Sequence, residues 1–105
     1  VLITDLPETE RARISATLIT SPYRNSPLEC RPVATAGDRH AIGAFKAEAA
    51  IRWGCSHFID CDAEQAIAIS AHAPHLIVTW WSVETGRGWT IGAAAQPGAP
   101  ETAAR

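Results

Sequence analysis

The sequence predicts an α/β fold with a mainly parallel sheet, and three observations carry that expectation. Short runs rich in β-branched residues, at positions 1–4, 56–60 and 76–81, alternate with segments of helical period. Helix-start and helix-stop residues stand at the joints between them. The chain has 105 residues, 47% apolar and 19% charged, a balance that fits one globular domain.

Each element has its own signal. Val1-Leu2-Ile3-Thr4 reads as a buried strand ending at Thr4. Asp5-Leu6-Pro7-Glu8 then has the D-x-x-E pattern of a capping box, with Pro near a first turn. A helix is expected to about Thr20, with Ala12, Ile14, Ala16 and Leu18 inward. Pro22, Asn25, Ser26 and Pro27 mark a loop. Residues 28–33 form a weak strand that Pro32 restricts to a sheet edge. A helix over about residues 40–53 has an apolar stripe of Ile42, Phe45, Ala49 and Trp53, and Gly54 stops it. Residues 56–60 make a second buried strand. Asp62 then reads as an N-cap, with Gln65 at the capping-box position of a helix over residues 63–72. Residues 76–81 are the strongest strand, residues 84–88 a turn, and residues 89–91 a last short strand. The expected domain spans residues 1–92, followed by a disordered Ala/Gly/Pro-rich tail over residues 93–105.

Composition excludes several classes. Lys plus Arg is 9 and Asp plus Glu is 11, so no basic excess points to nucleic acid. No run of about 18 apolar residues offers a membrane span, and the first residues lack a secretory-signal pattern. Three irregularly spaced cysteines fit a reduced compartment, so the expected location is cytoplasmic. Alanine occurs 20 times and arginine outnumbers lysine 8 to 1, which reads as a genomic composition bias.

Four groups of residues are candidates for chemistry. Ligands of α/β sheets bind at the carboxyl ends of strands, where Thr4 with Asp5, and Asp60 with Asp62, are expected. A hydroxyl and the Lys46 ammonium suit phosphoryl oxygens, and two carboxylates suit Mg²⁺. The competing reading makes Thr4 a strand residue, Asp62 a cap and Lys46 a solvated charge. Cys55, His57 and Cys61, with His72 and His75 beyond, have ligand chemistry for zinc but no paired C-x-x-C spacing, and buried inert cysteines fit better. Cys61 or Ser56 beside His57 could form a nucleophile pair, but Asp60 and Asp62 flank Cys61 and work against its thiolate. Of Trp80 and Trp81, alternation allows only one to face the core, with Trp89 nearby.

The runs VLITDLPETER, GDRHAIGAFKAEAAIRWG, HFIDCDAEQAIAI and PHLIVTWW, in that order, resemble the haloacid dehalogenase-like (HAD-like) phosphohydrolases over residues 1–81. The nearest branch is the small cap-poor one that includes polynucleotide-kinase-type phosphatase domains. The resemblance implies a three-layer, Rossmann-like parallel sheet and Mg²⁺-dependent phosphoester hydrolysis. It implies that Thr4 and Lys46 hold the phosphoryl group and that Asp60 and Asp62 place Mg²⁺. The substrate class would be a phosphorylated small molecule or a nucleic-acid end.

The family's first motif is an Asp-x-Asp on an earlier, central strand, whose first Asp is the nucleophile. Val1 opens the sequence with no counterpart ahead of it, and Cys61 interrupts the acidic pair. The expectation is therefore a HAD-like sheet truncated before its nucleophile strand, with little or no turnover. The alternative is a non-catalytic binding module that kept the fold. A sheet lacking a central strand has unpaired edges, which also makes a homodimer an option.

Overall fold

The computed structural model describes residues 1–35 and 37–92. The expected disordered tail and Ala36 of the second expected loop lie outside the described residues. The order is β1 (Leu2–Pro7), a 3₁₀ turn (Glu8–Glu10), α1 (Arg11–Leu18), β2 (Leu28–Arg31), α2 (Arg39–Arg52), β3 (His57–Asp60), α3 (Ala63–His72), β4 (Ile77–Ser82) and β5 (Arg87–Ile91). The α/β class and the element order are as the sequence implies. Among the described residues, no helix is long and apolar enough to cross a membrane.

One feature of the expected sheet is corrected. The strands form two sheets, not one. β1 and β2 pair in parallel, and β3, β4 and β5 form a second sheet in that order. β3 and β4 are parallel, whereas β4 and β5 form an antiparallel hairpin. Gly86 turns that hairpin at φ 66°, a conformation glycine adopts without steric cost. The two sheets are joined through their helices. α2 packs on β1, β2 and α3, while α3 packs on β3, β4 and β5.

The start of the chain is also corrected. β1 does not end at Thr4 but runs on through Asp5 and Leu6 to Pro7. Leu6 precedes a proline, which disfavours helical backbone there. The Thr4 hydroxyl accepts the Leu6 N–H at 3.2 Å, and Arg31 Nε donates to the Asp5 carbonyl at 2.9 Å. The Asp5–Glu8 capping box therefore does not form. Helical backbone begins instead at Glu8, whose carboxylate binds the Arg11 guanidinium. The expected inner face of α1 is shallow, because Ile14 and Leu18 are only half-buried, Ala12 and Ala16 are exposed, and no α1 residue is buried.

The core lies under the second sheet and the α2–α3 pair. Ile69, Leu76 and Val78 are fully buried, with Ala47, Ala50, Ala66 and Ala73 around them. Alanines at these positions let the two helices close together. Gly43 is part of the same seam: a Cβ there would strike the Ala68 side chain. Of the α2 stripe, Ile42, Phe45 and Ala49 are buried and Trp53 is 47% exposed. Trp53 lies past the last helical turn and donates its indole N–H to Glu29 of β2 at 2.6 Å. In β4, Trp80 packs on the core side and stacks on Trp89 of β5 with ring centroids 4.9 Å apart, while Trp81 faces outward.

Candidate functional site

The polar centre of the molecule is built around Lys46, the only lysine in the sequence. It sits mid-helix in α2, where the helix passes the carboxyl end of β3. Its ammonium is buried and donates to Asp60 Oδ2 at 2.7 Å and to Gln65 Oε1 at 2.6 Å. Asp60 ends β3. Its second oxygen, Oδ1, accepts the N–H of Asp62 at 2.9 Å. Both side chains are less than one-tenth exposed. Removing two charges from water costs several kcal/mol per ion, and these hydrogen bonds offset that cost.

Asp62 has a separate position and task. Its Oδ1 accepts the Gln65 N–H at 3.0 Å and caps α3, as the sequence implies. Its Oδ2 accepts from Arg39 Nε at 2.9 Å. Burial works to raise its pKa. The Gln65 N–H, the Arg39 guanidinium and the Glu64 N–H outweigh that, and the carboxyl is held below its usual range.

Gln65 is the participant that sequence reasoning missed. A capping-box glutamine reaches back to the N–H of the cap residue. Here Asp60 already occupies that N–H, so the Gln65 amide is free to accept from Lys46. Its Nε2 faces Asp5 Oδ2 at 3.5 Å. Two competing acceptors for one N–H, Asp60 and Gln65, were the available signal. Asp5, expected beside Thr4 at a strand end, also joins the network, as does Arg39, which the sequence did not single out.

The structure thus brings Lys46, Asp60 and Asp62 together at the carboxyl end of β3. Thr4 lies on β1 beside Asp5, and its hydroxyl is used locally by Leu6. The carboxylates have the right donor atoms for Mg²⁺. Their present engagement does not fit the ion: Asp60 is committed to Lys46, and Asp62 to Arg39 and the α3 cap. Among the described residues, no cluster of three or more His, Cys, Asp or Glu side chains is placed to hold a metal. No chemical step is assigned to a metal here.

The other candidates are dispersed. Ser56 Oγ lies 2.9 Å from His57 Nδ1, but both are exposed neighbours, and no carboxylate orients the imidazole among the described residues. Of the cysteines expected to be buried, Cys55 is half-buried and Cys61 is exposed. Cys30 is the buried one, and burial pushes its thiol pKa up.

A cavity of about 300 Å³ opens beside this network. Val1, Leu2 and Ile3 line one side, His57, Phe58 and Ile59 the other, and Lys46 and Asp60 also reach it. It therefore separates the two sheets along the facing edges of β1 and β3. No family model, curated protein or solved structure matches the chain.

Proposed function

We propose that the chain is the larger part of a HAD-like phosphohydrolase domain, with its phosphoryl-binding end at the carboxyl ends of β1 and β3. The observation that carries this reading is the convergence of Lys46 on Asp60 at a strand end, bordering an open cavity. In this reading β2, β1, β3, β4 and β5 belong to one Rossmann-like sheet interrupted between β1 and β3. Thr4 and Lys46 would supply the hydroxyl and ammonium for the oxygens of a phosphomonoester, borne by a small molecule or a nucleic-acid end. The Asp60 carboxylate holds the ammonium in place until an anion competes for it. The family's nucleophile strand has no counterpart among β1–β5, so this chain alone is expected to turn over little or nothing. A reduced, cytoplasmic setting suits its three free cysteines.

Titrating inorganic phosphate into the ¹⁵N-labelled chain, with and without added Mg²⁺, tests the reading. Expected are amide shifts confined to Thr4, Asp5, Cys61 and Asp62, absent in Lys46→Met. No shift at phosphate concentrations of about 50 mM, weaker than any ordinary small-ligand site, would sink it. Brisk hydrolysis of p-nitrophenyl phosphate by the pure chain would refute the expected inactivity.

One observation favours the alternative, a non-catalytic binding module. Lys46, Asp60 and Gln65 already satisfy one another, leaving no free charge to act on a substrate. That reading expects no phosphate response.

A further inference from the structure

The seam between α2 and α3 ends in two histidines that no other reading uses. Gly43 and Ala68 mark where the helices come close, since a Cβ on Gly43 would strike the Ala68 side chain. His40 stands three residues before Gly43 and His72 four residues after Ala68, about one helical turn from that contact on each helix. The two side chains meet, with ring centres 5.2 Å apart and ring planes inclined by 57°. Both backbones are fixed locally. Asp38 caps α2 by accepting the Ala41 N–H at 2.9 Å, and the Ala73 N–H closes α3 on the Ile69 carbonyl at 2.9 Å. Both histidines are exposed, so an ion reaches them directly from water.

The separation of the rings matches one ligand geometry. Zinc lies about 2.1 Å from an imidazole nitrogen, and hence about 3.2 Å from the ring centre. Two imidazoles on one tetrahedral ion then have centres about 5.2 Å apart, against about 4.5 Å at the right angle of square-planar or octahedral ions. The His40–His72 spacing is the tetrahedral one. The terminal torsion of a histidine is broad, so each ring turns a nitrogen toward a shared point with little movement of its centre. The local charge also favours a cation. Arg39 is neutralised by Asp62 at 2.9 Å, and Glu64 lines a cavity of about 290 Å³ together with His40, Ile67, Ala68 and Ala71.

We propose that His40 and His72 form a zinc site that clamps the start of α2 to the end of α3. The two imidazoles supply half of a tetrahedral set, and water supplies the rest. The second imidazole binds intramolecularly, so the pair holds the ion far more tightly than either ring alone. Because zinc binds the folded arrangement, it stabilises the packing of α2 on α3. Neither histidine belongs to the Lys46–Asp60–Gln65 network, so the inference holds whether or not the molecule handles phosphate.

The test titrates zinc chloride into the full, reduced, ¹⁵N-labelled chain and follows the imidazole signals of all four histidines by NMR. At one equivalent of zinc and about 0.1 mM protein, enough to fill a micromolar site, His40 and His72 are expected to shift together. His57 and His75 are expected to stay in place. His40→Ala and His72→Ala each leave a single imidazole and should weaken zinc binding about tenfold or more. Without zinc both variants should melt as the parent does, because both side chains are exposed, and both should lose the rise in Tm that zinc gives the parent. Cys61 is exposed and is a competing zinc ligand, so the titration is repeated in Cys61→Ser, where the histidine response should be unchanged. Equal shifts at all four histidines, parental affinity in either single-histidine variant, or loss of the response in Cys61→Ser overturns the inference. So does the absence of any histidine shift at about 1 mM zinc.

Discussion

The half built on β3, β4, β5 and α3 and the half built on β1, β2 and α1 differ in how they are held together. The first encloses Ile69, Leu76 and Val78 completely. In the second, α1 buries nothing, and Cys30 is the buried residue of its strands. Charged pairs take over there: Arg11 with Glu8 and the Leu28 carbonyl, and Arg52 and Trp53 with Glu29. Exposed pairs of this kind contribute little, about 0–1 kcal/mol each. The contrast shows that strand order alone does not make a sheet stable. A strand is secured by the apolar layer laid across it, and only one half has a full layer.

The largest test concerns the link between the halves. Lys46→Met leaves Asp60 buried without its cation and is expected to cost about 3–5 kcal/mol in urea unfolding. The double variant Lys46→Met/Asp60→Leu should recover much of that loss. If the single variant costs nothing, the Lys46–Asp60 pair does not hold α2 against β3.

Next comes the contrast itself. Ile69→Ala should cost about 2–5 kcal/mol. Ile14→Ala, on half-buried α1, should cost less than about 1 kcal/mol. Equal losses would erase the distinction between the halves. The seam gives a smaller effect: Gly43→Ala inserts a methyl against Ala68 and should cost about 1–3 kcal/mol by overpacking, measured by thermal melting.

The smallest effect is at the α3 cap. Asp62→Ala should cost about 1 kcal/mol near neutral pH. The Asp62 pKa is depressed in the folded chain, so its contribution is full above the usual aspartate range. It is lost as pH falls through the lowered value. The variant and the parent should therefore converge in stability toward strong acid, and a constant gap across pH would contradict that assignment.

Much of this was legible in the residues. α3 occupies the expected residues because Asp62 and the 3.6-residue pattern agree. β2 lies at a sheet edge, as Pro32 implies. The meeting of Lys46 with Asp60 was legible as a juxtaposition. The fate of residues 5–7 was not legible, because the Arg31 bond that holds Asp5 extended comes from 26 residues away. Gln65 escaped for a related reason: its local motif had one use, and a neighbour on β3 redirected it. The division into two sheets was not legible, because β1 pairs with β2 and β3 with β4, and no strand's own residues name its partner.

The Trp80–Trp89 stack has a practical consequence. Two indoles 4.9 Å apart and inclined by 25° are close enough for their excited states to mix, which gives a paired circular-dichroism band absent from isolated indoles. That band rises and falls with the β4–β5 hairpin. Trp53, bound to Glu29 of β2, fluoresces from the junction of α2 with β2, and comparison with Trp53→Phe separates its signal from those of Trp80, Trp81 and Trp89. The band thus follows one half and the Trp53 difference signal the other, and an unfolding experiment can read both without adding a dye.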